Sequence, residues 1–148
     1  MPTTRPRAAA HTPRISEQAD ISPSERLARR WFAAVARSAF DELPQLVHED
    51  VEIVSKISAG TVVHGRADVV EFIQETVAPR LYDAAVEVYT PIDADRVIAE
   101  GRLRWIDEDR VIRDDPVVWA LEFRDELLLR FVAARTTIAA EAILGVAR

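Results

Sequence analysis

The residues best spaced for joint chemistry lie on one short stretch, where Glu100, Arg102 and Arg104 recur at every second position with Asp107 just beyond. On a strand, that spacing puts the three charges on one face and Ala99, Leu103 and Trp105 on the other. Turned into a cavity, Arg102 paired with Glu100 can hold a carboxylate or an enolate through charge-assisted hydrogen bonds. Turned to water, the same pair contributes little, and Trp105 becomes core. Arg135 continues the alternate positions of Leu127, Leu129, Phe131 and Ala133, so a cation closes an apolar face. There it can anchor an acidic or carbonyl group, or snorkel to solvent. His48 and Asp50 are spaced so that a carboxylate can orient an imidazole for proton transfer, although a histidine ending a helix is explained by the helix dipole alone. Tyr82 and Tyr89 add two hydroxyls whose positions the sequence leaves open.

Other chemistries lack their residues. The 148 residues contain no cysteine, which removes thiolate nucleophiles, disulfides and cysteine-ligated zinc. His11, His48 and His64 are too scattered to form a metal-binding pair, so neither a metal nor a cofactor is expected. A formal charge of -6, with Lys56 as the single lysine and no cluster of cations, argues against a nucleic-acid surface. No run approaches the roughly 20 apolar residues of a membrane span, and the N-terminus lacks the apolar segment of a signal peptide. A cytoplasmic, non-membrane protein of one folded domain is the expectation.

Several elements must position any site. Residues 1–21, rich in Pro, Thr, Ala and Arg without periodic apolar positions, are expected to be a disordered tail ahead of a domain over 22–148. That tail reads as a solvated extension, a docking arm or a targeting remnant. Ser22-Pro23-Ser24-Glu25 predicts a helix start with a capping box. Leu27, Trp31, Ala34 and Ser38 then share a face with Ala28, Phe32, Val35 and Ala39 beside it. A short second helix is expected from about Asp41, ending at His48-Glu49-Asp50, before a strand from Val51 to Ile57. A third helix from about Arg66 to Ala78 turns Val69, Phe72, Ile73 and Val77 inward and stops at Pro79. Strands follow at about Ala84 to Thr90 and Val97 to Ile106. A hairpin with one buried face comes next, with Val117, Trp119, Leu121 and Phe123 meeting a polar Arg124-Asp125-Glu126 corner. Asp114-Asp115-Pro116 reads as the turn entering that hairpin, and Thr136 to Leu144 as a closing helix. Helices first and strands later predict an α+β domain whose curved antiparallel sheet wraps around the N-terminal helices and leaves a conical cavity.

Over about Glu25 to Leu144 the chain resembles the nuclear-transport-factor-2-like (cystatin-like) superfamily, and within it the small bacterial SnoaL-like branch. The resemblance is carried by Arg30-Trp31-Phe32, by Leu46 to Glu52, by His64-Gly65-Arg66, by Asp95-Arg96-Val97, and by Val118 to Asp125. It implies a homodimer with a cone-shaped pocket, in a superfamily that includes ketosteroid isomerases, polyketide cyclases, epoxide hydrolases and dehydratases. The chain departs from the pattern at Glu126, where the hairpin usually carries glycine.

Laid over the ketosteroid isomerase pattern, the oxyanion-hole tyrosine falls on Trp31, the general base on Ser55 and the protonated acid near Trp119. None of the three can replace the residue expected, since an indole has no acid–base capacity near neutral pH and an unassisted serine cannot take a carbon-bound proton. The epoxide hydrolase arrangement finds only Glu100, Arg102, Arg104 and Asp107, with Arg135 where its last carboxylate should be. A cyclase-like acid has Asp114, Asp115 and Glu122 as candidates. Trp31 and Trp119 read first as core, and their convergence with Ser55 on pocket positions adds some weight to a role as ligand platforms.

Three readings follow. One is a pocket for a small apolar molecule with one polar handle, bound by Trp31, Ser55, Glu100, Arg102, Trp119 and Arg135, with no catalytic residue assigned. Another is a lyase, isomerase, cyclase or epoxide-hydrolase-like enzyme of secondary metabolism using an acid such as Asp50 or Glu100. The last is a non-catalytic dimeric structural or interaction module whose pocket is filled by its own side chains.

Overall fold

In the computed structural model, residues 21–58 and 60–146 are described. The tail expected over 1–21 falls outside them except for Ile21. Helix α1, Pro23–Ala36, starts where the serine and proline predict, with Ser22 as N-cap. The capping box itself does not form. Ser22 makes no side-chain cap bond, and Glu25 reaches forward to Arg29 at 2.9 Å instead of back. A tertiary contact holds the helix start in its place: the Ser24 hydroxyl, wholly buried, donates to the Asp93 carbonyl at 2.7 Å.

The short helix α2, Leu43–Leu46, passes directly into strand β1, Val47–Val54. This strand begins before the expected Val51 and ends before Ile57. Its start is drawn forward by pairing with a later strand, Val47 opposite Leu128, and its end is set by a serine-locked turn. In that turn the Ser58 amide donates to the Ser55 hydroxyl at 3.0 Å and the Ser55 amide to the Ser58 hydroxyl at 2.9 Å. His48 therefore sits in a strand, not at a helix end, and its Nδ1 accepts from the Asp50 amide at 3.0 Å. After β2, Val63–His64, helix α3 covers Arg66–Phe72 and widens into a π turn over Ile73–Val77 and a 3-10 turn over Ala78–Arg80.

Strands β3 (Asp83–Pro91), β4 (Arg96–Ile106), β5 (Ile112–Arg124) and β6 (Leu127–Ala134) precede a closing helix α4, Thr137–Ile143. Because β5 begins at Ile112, Asp114 and Asp115 lie inside a strand opposite Arg104 and Leu103, not in a turn. The six strands run in the order β2-β1-β6-β5-β4-β3. The sheet is mixed: β1 is parallel to β6 and every other pair is antiparallel. Asp125 and Glu126 form the two-residue turn between β5 and β6 with φ of 54° and 66°, the two left-handed residues a type I′ hairpin requires.

One face of the sheet buries α1, α2 and α3. Phe32 lies at its centre, with ring centroids 5.1 Å from Trp119 and 5.7 Å from Phe131. The opposite face carries α4, packed on Ile98, Ala120 and Ala134. Arg96 and Arg130 donate to the Leu144 and Ile143 carbonyls at 2.7 and 2.9 Å, satisfying the end of that helix. Two bulges bend the strands. In β3, Glu87 has no partner between the Val86–Gly101 and Val88–Glu100 pairs. In β6, Leu129 is the extra residue, so Leu128 enters the core in place of the Leu127 and Leu129 that strict alternation selects.

Candidate functional site

Between α1, α3 with its π turn, and the inner face of the sheet lies an almost wholly apolar cavity. Trp31, Phe32 and Val35 reach it from α1, and Ile53 and Phe131 from the parallel strand pair. Phe72, Ile73 and Val77 close it from the α3 segment. Helical spacing explains both helical sets, which fall on the apolar stripes of their helices. Its volume is ≈ 20 Å³, enough for about one water molecule.

Two residues that carry hydroxyls, Ser55 and Tyr82, belong to its lining. The Ser55 hydroxyl accepts from the Ser58 amide, and its own proton has no acceptor among the described residues. Tyr82 is held far above its ordinary pKa by burial, offset in part by a hydrogen bond with the Trp119 indole. That indole, having only an N–H, donates, which leaves the tyrosine proton for another partner. No carboxylate, histidine or cation lines the cavity. Chemically it can enclose an apolar body, its lining side chains with hydrogen-bonding groups are Trp31, Ser55 and Tyr82, and none of the described ones exchanges a proton near neutral pH.

The structure brings together part of the expected set. Trp31 and Ser55, 3% and 7% exposed, line the cavity. Trp119, 1% exposed, stands behind Phe32 and acts on the site through Tyr82. Glu100 and Arg102 lie elsewhere, and Arg135 meets Ser55 only outside the cavity, in a neighbouring basin. Val97, Ala99 and Leu103 of β4 join the core, so alternation turns Glu100 and Arg102 to the opposite face. There the Thr137 hydroxyl donates to Glu100 at 3.2 Å, and Arg102 binds Asp114 at 2.8 Å. Arg135 is exposed beyond the end of β6. Among the other acids considered, Asp50 is exposed on β1, and Glu122 lies 3.6 Å from Arg130 on the outer side.

A larger, polar basin of ≈ 390 Å³ is lined by Lys56, next in sequence to Ser55, and by Arg80, two residues before Tyr82. Asp107, Glu108, Asp109 and Asp115 share it with Arg113, which holds Asp107 at 2.8 Å. Hydrogen bonds from the Val111 amide, Arg113 and the Asp109 amide keep the Asp107 carboxyl below its usual range. The Trp105 indole N–H, on the wall of this basin, is buried without a partner. Among the described residues no group of three His, Asp or Glu is placed to hold a metal, and no helix is long and apolar enough to cross a membrane.

Sequence reasoning did not place Tyr82. The signal was present: Tyr82, Ala84 and Val86 alternate on the side of β3 that packs on the core, so extending the strand parity back past Ala84 puts the tyrosine inside.

The model of the SnoaL-like domain matches residues 28–131. The chain belongs to the SnoaL-like domain family. No curated protein matches it in sequence. Among solved structures, this SnoaL-like domain resembles a Mycobacterium tuberculosis protein in complex with estradiol-17beta-hemisuccinate. The TM-score is 0.69 and the identity 15%, over 80% of this chain and 97% of that one. It is also similar to the Delta 5-3-ketosteroid isomerase of a Mycobacterium species (TM-score 0.67, 15% identity, 80% of this chain and 97% of that one). TerC co-crystallised with polyporic acid gives a TM-score of 0.63 at 21% identity, over 84% of this chain and 99% of the other. At these identities the likeness is one of fold.

Proposed function

We propose that this SnoaL-like domain binds a small, mostly apolar molecule carrying one hydrogen-bond acceptor, such as a carbonyl oxygen, and does no acid–base chemistry on it in the cavity. The observation that carries this reading is the lining itself: aromatic and aliphatic walls with two hydroxyl-bearing residues, Ser55 and Tyr82, and no carboxylate, imidazole or cation among the described residues. An acceptor on the ligand is the complement of two spare O–H groups, whereas a second donor would leave both unsatisfied. Structures of similar fold that hold estradiol-17beta-hemisuccinate and polyporic acid lend support to a cone used as a binding pocket. Homodimeric assembly in the cytoplasm is part of the same proposal.

Uptake requires the wall to move, because ≈ 20 Å³ cannot admit an organic ligand. The movable part is the segment from Ile73 to Leu81, where a π turn and a 3-10 turn end on a left-handed leucine, φ 53°. The same small volume favours a second reading, a non-catalytic interaction module whose cone is plugged by its own side chains.

The experiment that separates them is a tryptophan-fluorescence titration with 2-acetylnaphthalene and with 2-ethylnaphthalene, which lacks the acceptor. Binding predicts saturable quenching by the ketone, about tenfold weaker affinity for the hydrocarbon, and loss of that preference in the Ser55→Ala, Tyr82→Phe double variant. Absence of saturable quenching by either compound would leave the plugged module standing.

A further inference from the structure

Strands β1 and β6 run parallel with Val54 opposite Val132, so both end at the same edge of the sheet. The residues just past those ends, Lys56 and Arg135, thereby reach two sides of one open basin of ≈ 290 Å³. Val54, Ala133 and Ala134 give it an apolar floor, Ser55 contributes a polar wall, and no carboxylate lines it. Neither cation makes a side-chain hydrogen bond or ion pair among the described residues. Half of the fourteen arginines among the described residues behave otherwise: Arg29, Arg30, Arg37, Arg96, Arg102, Arg113 and Arg130 each meet a carboxylate.

The acids nearest the two cations line neighbouring grooves and not this basin. Asp107 is engaged with Arg113, and Glu100 with the Thr137 hydroxyl. On its other side Lys56 borders the basin of Asp107, Glu108, Asp109 and Asp115, while Arg135 borders a groove that contains Glu87 and Glu100. Two like charges sharing a concave site repel each other, and an anion between them turns that repulsion into two attractions. The guanidinium supplies a planar pair of donors for an oxyanion, and the ammonium a compact point charge.

We propose that the Lys56–Arg135 basin binds a small oxyanion, a carboxylate or a phosphate, borne on a compact body that rests against Val54, Ala133 and Ala134. The site shares Ser55 with the apolar cavity but none of its other lining residues, and it stands whether or not that cavity takes a ligand. Its recognition is electrostatic, so affinity falls with ionic strength.

The test is an amide NMR titration of the whole chain with sodium phosphate and, separately, sodium acetate, at constant ionic strength against sodium chloride. Lys56 is the only lysine, so a lysine-labelled sample reports the site through one backbone signal. The expected result is a saturable shift of Lys56 and of residues 133–136. Lys56→Gln and Arg135→Gln each weaken the affinity about tenfold or more, and Arg135→Lys retains part of it. Arg102→Gln, paired to Asp114 and not part of the basin lining, changes nothing. Saturation by both salts assigns a general oxyanion site, by phosphate alone a phosphoryl site, and by acetate alone a carboxylate site. Shifts that rise linearly, or that survive unchanged in a well-dispersed spectrum of the double variant, mean an adventitious ion only and overturn the proposal.

Discussion

Replacing Gly101 by alanine tests the sheet curvature that shapes the cone. A Cβ at position 101 would collide with the Ala85 carbonyl oxygen and sit 2.8 Å from Val86 Cα and 2.9 Å from the Ala85 carbonyl carbon. All three are backbone atoms, so no rotamer change relieves the contact. Strand β3 must withdraw, and as the edge of the sheet it can. Withdrawal loosens the Val86–Gly101 and Val88–Glu100 pairings on either side of the Glu87 bulge. Two weakened backbone hydrogen bonds at about 0.5–1.5 kcal/mol each, with about 1–3 kcal/mol of residual overpacking, give a loss of about 2–6 kcal/mol. That is a large part of the roughly 5–15 kcal/mol of a typical domain. Beyond the bulge Tyr89 turns inward, 6.5 Å from Phe32 between centroids and 4.5 Å beneath the Arg29 guanidinium, and these contacts go with the strand. Equilibrium urea unfolding followed by tryptophan fluorescence gives the stability, and hydrogen exchange of the β3 amides locates the change. A loss below about 0.5 kcal/mol, the size of an ordinary surface substitution, with β3 protection intact, would refute the reasoning.

Burial raises the pKa of both tyrosines, of Tyr89 against the opposing effect of Arg29. Unfolded tyrosine ionises near pH 10, so above that the folded state binds more protons. Stability is full below pH 10 and is lost as pH climbs toward the folded pKa, at up to about 1.4 kcal/mol per pH unit for each tyrosine. Tyr82→Phe should flatten that alkaline slope in urea midpoints measured against pH, and an unchanged slope would refute the assignment. Glu126→Gly should stabilise the chain by about 0.5–1 kcal/mol, because glycine removes the left-handed strain at φ 66° and returns part of the gain as unfolded-state entropy; thermal melts would show it, and a lower midpoint would contradict it. Ser24→Ala should cost about 0.5–1.5 kcal/mol by removing the bond from the buried Ser24 hydroxyl to the Asp93 carbonyl, and a neutral effect in the same melts would count against the tie between helix and loop.

The elements whose apolar period was unbroken were legible in the sequence. Val117, Trp119, Leu121 and Phe123 alternate without interruption and all enter the core, and Ser22-Pro23 marks the start of α1 even though the local cap gives way to the Ser24–Asp93 bond. What failed depends on partners far along the chain. The Leu129 bulge arises only when β6 is laid against β5, and it reverses which leucines are buried. The start of β1 at Val47 is likewise fixed by Leu128, remote in sequence. Glu100 and Arg102 alternate cleanly, but alternation fixes which residues share a face, not which face the helices cover. The covered face was decided by Val97, Ala99 and Leu103. Cavity volume is less legible still, since it depends on how Trp31, Phe32, Phe72 and Phe131 interlock. Hydroxyl donors at its rim required Tyr82 to be placed beside Trp119, a contact between residues on different strands and turns.

The claim that the cone holds a small apolar molecule is tested most directly by native mass spectrometry of the freshly purified chain, alone and after incubation with 2-acetylnaphthalene. The account predicts one small-molecule mass per chain on a dimer, with occupancy falling in the Ser55→Ala, Tyr82→Phe variant. A chain that emerges bare and stays bare with the ketone present would contradict it.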